Sequence, residues 1–308
     1  RGGVFVRKVL IEDRKAVGVE VESGGEVFNV EAGRVVLSAG ALKSPHLLML
    51  SGIGPKDQLE KFGIPVIHDL PGVGQNLMNH LSAQVTFKVK DGLSLHGDFE
   101  AVHFGLHYTS EGSSEANDML MRTTPMVDQR PERVPGLRTK FLNDDVPADR
   151  VARVSITLGL PDGSGYVRLA SADPLVQPAF NYCYLQDPND RSRVREGIRK
   201  AVSFLESDAY KDVCDQRLHP TDDILGDDDA LDLYIRKTVG SARHVSGTCK
   251  MGPDSDPMAV VDQYCSVKGV EGLSVVDASV KPKITRSGGS HATVLMMGER
   301  AVEWIAPA

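Results

Sequence analysis

An α/β fold, with a mostly antiparallel sheet in its middle segment, is what this sequence predicts. Three observations carry that expectation. Val35-Val36-Leu37 is apolar on both faces, and it runs through the small-residue turn Ser38-Ala39-Gly40 into a helical pattern, "SAGALKSPHLLMLSGIG". Between Ser82 and Ser171 the runs "SAQVTFKVK", "DMLMRTTPMV", "ARVSITLGL" and "YVRLAS" are strand-like, the last after the turn "PDGSG". Strand and helix then return: "GLSVVDAS" is a short buried strand, and Val294, Met297, Ala301 and Trp304/Ile305 have helical spacing. The expected domains are therefore 1–80 and 241–308, two parts of one unit, with 81–240 as a separate substrate-facing domain.

Taken in order, Val4 to Ile11 and Ala16 to Val21 alternate around a turn at Asp13-Arg14-Lys15, and "VFNVEAGRVVLSAG" adds two strands. In the helix that follows, Ser44 reads as the N-cap, Pro45 as the first helical residue and Gly52 as the stop. "GIPVIHDLPGVGQNLMNH", rich in Gly and Pro, reads as a long surface connection. Further on, Phe104, His107 and Tyr108 fall at helical spacing and read as core. Asp187-Pro188 opens a helix with Val194, Ile198, Ala201 and Leu205 on one face. The run Asp227-Asp228-Asp229 reads as a solvated turn and helix start.

Bulk properties remove some function classes. The chain has 308 residues and a net charge of -7, with no basic stripe, so nucleic acid is not an expected partner. Its longest apolar runs, such as Leu47-Leu48-Met49-Leu50, fall far short of the ~20 residues that span a bilayer, so a soluble chain is expected and its compartment stays open. Cys183, Cys214, Cys249 and Cys265 stand singly and suggest neither a zinc site nor a disulfide framework. The start Arg1-Gly2-Gly3, without methionine or signal peptide, reads as internal.

Two histidines stand out. His244 in "SARHVSGTCKMG" and His291 in "TRSGGSHATVLMMGERA" both sit in Gly/Ser-rich stretches rather than on an apolar face. His291 directly precedes a helix, whose first-turn N–H groups are open to an acceptor. Imidazole titrates at about 6.5, where a proton can be moved at neutral pH. Other constellations fail: there is no His-Glu-x-x-His, Walker loop or Gly-x-Ser-x-Gly elbow. Gly72-Val73-Gly74-Gln75-Asn76-Leu77 begins like a dinucleotide fingerprint but has Leu77 in place of its third glycine.

"GALKSPHLLMLSGIG" closely resembles the second signature of the glucose-methanol-choline (GMC) family of flavoprotein oxidoreductases. The resemblance continues through "LPGVGQNLMNH", "YVRLASADP", "HVSGTCKMG" and "GVEGLSVVDASVKP...GGSHATVLMMGERA", in the family's order along essentially the whole chain. It implies an incomplete FAD-binding Rossmann-like domain with an antiparallel-sheet substrate-binding domain. The chain looks like the family's carboxy-terminal portion, without the Gly-x-Gly-x-x-Gly segment that grips the FAD pyrophosphate. A second chain or a cleaved segment is the implied partner.

By the same resemblance, Val6 matches a position whose backbone meets the adenine, and Ala39, Gly40 and Ala41 match positions near the cofactor. Asp277 and Ala278 match positions beside its phosphate and ribityl part, while the backbone of Ala292 and Thr293 would lie against the flavin pyrimidine. His244 matches the active-site histidine that accepts an alcohol's proton, and His291 the second catalytic position. One departure is that the connection, which usually ends Asp-His, ends here in Asn79-His80. The implied function is oxidation of a small-molecule alcohol to a carbonyl by hydride transfer to FAD. A cyanohydrin-cleaving lyase and a non-catalytic subunit completing a flavoprotein are the alternatives.

Overall fold

The computed structural model describes residues 1–93, 105–125, 146, 150–286 and 290–305. The chain forms two compact units. The first comprises Arg1–Asn79, Gly163–Tyr184 and Arg243–Ala308, and the second His80–Asp162 and Leu185–Ala242. The segment expected as one domain over 81–240 is thus interrupted, because Gly163–Tyr184 belongs to the first unit. The reason is a set of backbone bonds: Leu77 and Gly165 exchange N–H···O pairs at 2.9 and 2.8 Å, and Val167 N–H reaches Gly74 O at 2.6 Å.

In the first unit, β1 (Phe5–Glu12), β2 (Lys15–Ser23) and β3 (Glu26–Glu31) form an antiparallel meander. Asp13 and Arg14, at φ 46° and 60°, make the tight turn between β1 and β2, a twist that suits a two-residue hairpin. One parallel pair consists of β4 (Val35–Leu37) and β15 (Leu273–Val275). Val35 and Leu37 are buried, but Val36 is 42% exposed, so β4 is apolar on both faces yet covered on one. Also here are β5 (Ile53–Gly54) paired with β6 (His68–Asp69), α2 (Lys56–Lys61), β11 (Tyr166–Arg168) paired with β12 (Ala179–Asn181), and α6 (Ser290–Ile305). Leu48, Met49, Ile53, Leu59, Val73 and Leu77 are among its fully buried side chains.

The helix after β4, α1, spans Gly40–Leu50 and so begins before the expected cap at Ser44. Its cap comes from elsewhere in the sequence: Asp277 Oδ2 accepts from Gly40 N–H at 2.9 Å and from Ser44 Oγ at 2.5 Å. Ser44 Oγ in turn accepts from Ala39 N–H at 3.0 Å. Pro45 consequently lies inside α1, where it offers no N–H to the carbonyl of Ala41. The Thr248 hydroxyl donates to that oxygen instead, at 2.6 Å. Gly52, at φ 79°, ends the helix as expected, its N–H bonded to Met49 O at 3.0 Å.

The connection through "LPGVGQNLMNH" is not a surface segment. Leu70, Val73, Leu77, Met78, Asn79 and His80 are all buried. Its glycines permit close backbone approach: a Cβ on Gly72 would lie 2.2 Å from Met258 O, and one on Gly74 2.3 Å from Val167 O. Packing against carbonyls, rather than cradling a phosphate, explains both glycines.

The second unit is built on a six-stranded sheet. Its strands are β7 (Leu81–Val89), β8 (Gly105–Tyr108), β9 (Met119–Pro125), β10 (Val151–Leu158), β13 (Cys214–His219) and β14 (Gly240–Ser241), in the order β13-β7-β10-β9-β8 with β14 also on β7. Every pairing is antiparallel. His107 and Tyr108 therefore lie on a strand rather than a helix, and Phe104 lies outside the described residues. Helix α3 (Pro188–Leu205) is capped by Asp187, and its Val194, Ile198, Ala201 and Leu205 are all buried. Two further helices follow, α4 (Asp222–Leu225) and α5 (Asp228–Thr238), the latter capped by Asp227.

Arg193 on α3 is 3% exposed and holds the second unit together internally. Its guanidinium donates to Asp118 Oδ2 at 3.0 Å, Asp190 Oδ1 at 2.5 Å, Asp162 Oδ2 at 3.0 Å and Leu160 O at 2.9 Å. Burial acts to raise the Asp118 carboxyl, but hydrogen bonds from Ser110 and Arg193 prevail and hold it below the usual range. The four cysteines are free. Among the described residues no helix is long and apolar enough to cross a membrane.

Two outcomes are expected. Thr248→Val leaves the Ala41 carbonyl without its donor and costs about 1–3 kcal/mol in urea unfolding. In a Pro45→Ala background, where residue 45 regains its N–H, the same change costs less than half as much; equal costs in both backgrounds contradict this account. The second concerns His46, 2% exposed on α1 with no hydrogen-bond partner at Nε2. Burial, aided by the Lys43 charge, lowers its pKa to about 4. As pH falls below ~6.5 the unfolded chain binds a proton that the folded one refuses, so His46 removes about 2 kcal/mol of stability by pH 5. His46→Leu flattens that loss, as read from unfolding midpoints at pH 7.5 and pH 5.

Candidate functional site

The site starts where the two parallel strands end. Leu37 leads into Ser38-Ala39-Gly40 and Val275 into Val276-Asp277-Ala278. Val276 N–H bonds Leu37 O at 2.8 Å, and Ser38 Oγ donates to Val276 O at 3.0 Å, so the two exits stay side by side. Ala39 is exposed, Gly40 half-buried and Ala41 buried. Gly40 takes φ 79°, and nothing lies within 4 Å of where its Cβ would be. Backbone conformation, not crowding, thus favours glycine there, and it leaves the main chain open to close approach.

Asp277 is buried, and both its oxygens are engaged: Oδ2 by Gly40 and Ser44, Oδ1 by Ser279 N–H at 2.7 Å. A carboxylate thus already occupies the positive end of α1. The next residues lie along a second loop: Gly247, Cys249 and Met251 N–H groups bond Ala278, Ser279 and Val280 carbonyls at 3.1, 2.8 and 2.8 Å. Cys249 is wholly buried, and burial pushes its thiol well above the ordinary range.

His244, half-buried, precedes that loop and is held through its main chain. Its N–H donates to Asn79 Oδ1 at 2.8 Å, and Met78 and Ser246 exchange N–H···O bonds at 2.9 and 3.0 Å. Asn79, the departure from the family pattern, is therefore the residue that fixes the His244 backbone. Asn76 Nδ2 reaches Gly247 O at 3.2 Å and Pro282 O at 3.3 Å, bridging the two loops.

His291 and Ala292 are exposed in the first turn of α6, with Thr293 half-buried beside them. That turn is tied to the same loop through Lys281, whose Nζ donates to Ser290 O at 3.1 Å and Thr293 Oγ1 at 2.6 Å. Ala39, Gly40, Ala41, His244, Asp277, Ala278, His291, Ala292 and Thr293 thus belong to one bonded set of segments. Val6 does not: it sits on β1 opposite Val21, and β1 meets α1 at its far end, where Val9 N–H bonds Ser51 Oγ at 2.8 Å. Sequence reasoning did not single out Asn76, Thr248 or Lys281. None of the three carries a signal in the sequence: the Ala41 carbonyl that Thr248 serves is orphaned only because α1 begins at Gly40 and so encloses Pro45.

Open backbone at the carboxyl ends of parallel strands, beside a helix start, suits the ring portion of a flavin. The sequence has no Gly-x-Gly-x-x-Gly loop, and among the described residues Asp277 occupies the start of α1.

Two family models, both described as GMC oxidoreductase, match residues 2–82 and 161–298. The oxygen-dependent choline dehydrogenase of Photobacterium profundum is 36% identical over 319 residues, covering 99% of this chain and 56% of that protein. That of Vibrio vulnificus is 35% identical over 317 residues, covering 98% and 56%. Among solved structures, pyridoxine 4-oxidase from Mesorbium loti superposes with a TM-score of 0.84 at 26% identity, covering 98% of this chain and 57% of that one. Aspergillus oryzae formate oxidase follows with 0.83 at 26%, covering 98% and 59%. The chain spans 56% of the length of these curated relatives. With both family models in place over the segments that build the site, the chain belongs to the GMC oxidoreductase family.

Proposed function

We propose that this chain supplies the carboxy-terminal share of an FAD site and the proton-handling residues for oxidation of an alcohol to a carbonyl. One observation carries the reading. The loop Ala278–Lys281 is bonded on one side to the segment that follows His244 and at its end to the turn that holds His291. Two histidines remote in sequence thus lie on segments that are each bonded to one short stretch. The relatives' names, oxygen-dependent choline dehydrogenase, point to choline as the first alcohol to test.

In this reading His244 accepts the hydroxyl proton, and His291 hydrogen-bonds the same oxygen and holds the C–H bond in line. Bound FAD would supply the acceptor for the departing hydride. Backbone at Ala39, Gly40, Ala41 and Ala278, with Asp277 beneath, lines the cofactor, while Val6, outside that set of segments, is assigned to its adenine end. The first-turn N–H groups at Ala292 and Thr293 stabilise negative charge on its pyrimidine side.

Because the chain spans 56% of its relatives' length, the reading assigns the phosphate-binding half to polypeptide outside the given sequence. A two-stranded parallel sheet is rarely self-sufficient, and here Val36 is 42% exposed and Leu295 on α6 61% exposed. Assembled with that half, the protein is expected to retain FAD that this chain alone loses on gel filtration; equal retention by the chain alone contradicts the split site.

The test of activity is anaerobic reduction of the flavin, with choline and simple primary alcohols as probes. Bleaching is expected, and His244→Ala slows it by about 10²–10⁴. An FAD-loaded protein that no alcohol bleaches refutes the reading. Cyanide release from a cyanohydrin without any absorbance change would put a lyase in its place.

A further inference from the structure

Lys281 has surroundings that the proposed reaction does not explain. Its side chain is 4% exposed, yet the described partners of its ammonium are both neutral, Ser290 O at 3.1 Å and Thr293 Oγ1 at 2.6 Å. Among the described residues no carboxylate pairs with it, and burial alone draws its pKa below the lysine range. An ammonium taken out of water without a counter-charge is unfavourable. Its position adds to the cost, because the first turn of α6 is the positive end of a 16-residue helix. The same contacts do mechanical work, since Thr293 Oγ1 also donates to Ser290 O at 3.0 Å, closing a three-membered hydrogen-bonded clasp beside His291.

We propose that Lys281 is a positioning residue that clasps the first turn of α6, and that its missing counter-charge is the negative charge that gathers on the pyrimidine side of FAD on reduction. The second part rests on the functional reading above; the clasp does not. Two roles follow from one side chain. The clasp holds His291 and the N–H groups of Ala292 and Thr293 in place before any cofactor arrives. The ammonium and the helix dipole then act on the flavin in the same sense, favouring its reduced, anionic form.

Two substitutions separate the roles. Lys281→Met removes both the hydrogen bonds and the charge, whereas Lys281→Gln retains a donor for the clasp and removes only the charge. Hydrogen exchange on the FAD-free chain reads the clasp: first-turn amides of α6 are expected to exchange roughly ten-fold faster in the Met variant and near the wild-type rate in the Gln variant. Unchanged exchange in the Met variant overturns the clasp. Sulfite binding to the flavin of the assembled, FAD-loaded protein reads the charge, because the adduct is anionic. Both variants are expected to bind sulfite roughly ten-fold more weakly and to have a more negative flavin potential. Wild-type sulfite affinity and potential in the Gln variant overturn the electrostatic role. An assembled wild type that fails to hold FAD sinks the functional reading and that role together, while exchange still decides the clasp.

Discussion

One buried carboxylate ties the start of α1 to the exit of β15, two parts of the first unit far apart in sequence. Asp277 stands at the exit of β15 and takes donors from Gly40 and Ser44 at the start of α1, across 237 and 233 positions of sequence, and from Ser279 beside it. Closing so long a loop costs entropy, and three convergent hydrogen bonds to an ion are a strong way to offset it. With β4, β15 and α1 fixed together, the direction of Ala278–Lys281 is set. The loop after His244 then aligns along it, and the first turn of α6 is tied to its end.

That arrangement explains why local structure was readable and its boundaries were not. The hairpin at Asp13-Arg14 and the apolar face of α3 are determined by neighbours within a few residues, so alternation and helical spacing sufficed. The start of α1 was misplaced because Ser44 and Pro45 imitate a local cap, whereas the true acceptor belongs to Asp277. Likewise, "LPGVGQNLMNH" has the composition of an exposed loop. Its polar backbone is satisfied by Gly165, Val167, Ser246 and Thr248, none of which lies near it in sequence.

The candidate site divides the same way. His244 and His291 were visible because imidazoles in Gly/Ser-rich loops are conspicuous and the surrounding motifs resemble one family. Their supports were not visible. In the sequence Asn79 is only a departure from a pattern, yet its side chain accepts the His244 N–H, and nothing in the sequence marks Lys281, which is buried. Residues that hold others in place are defined by distant partners, and a single sequence does not name those. The second unit repeats the lesson in Arg193, an ordinary helical arginine in sequence and the centre of a buried ionic cluster in the fold.

The central claim is that two histidines on segments bonded to one loop face a single flavin, and a crystal structure of the assembled protein with FAD bound tests it most directly. The account requires both imidazoles within hydrogen-bonding reach of one small cavity over the same face of the isoalloxazine ring, with its pyrimidine edge toward the first turn of α6. A ring lying away from that turn, or flanked by the two imidazoles on opposite faces, would contradict it.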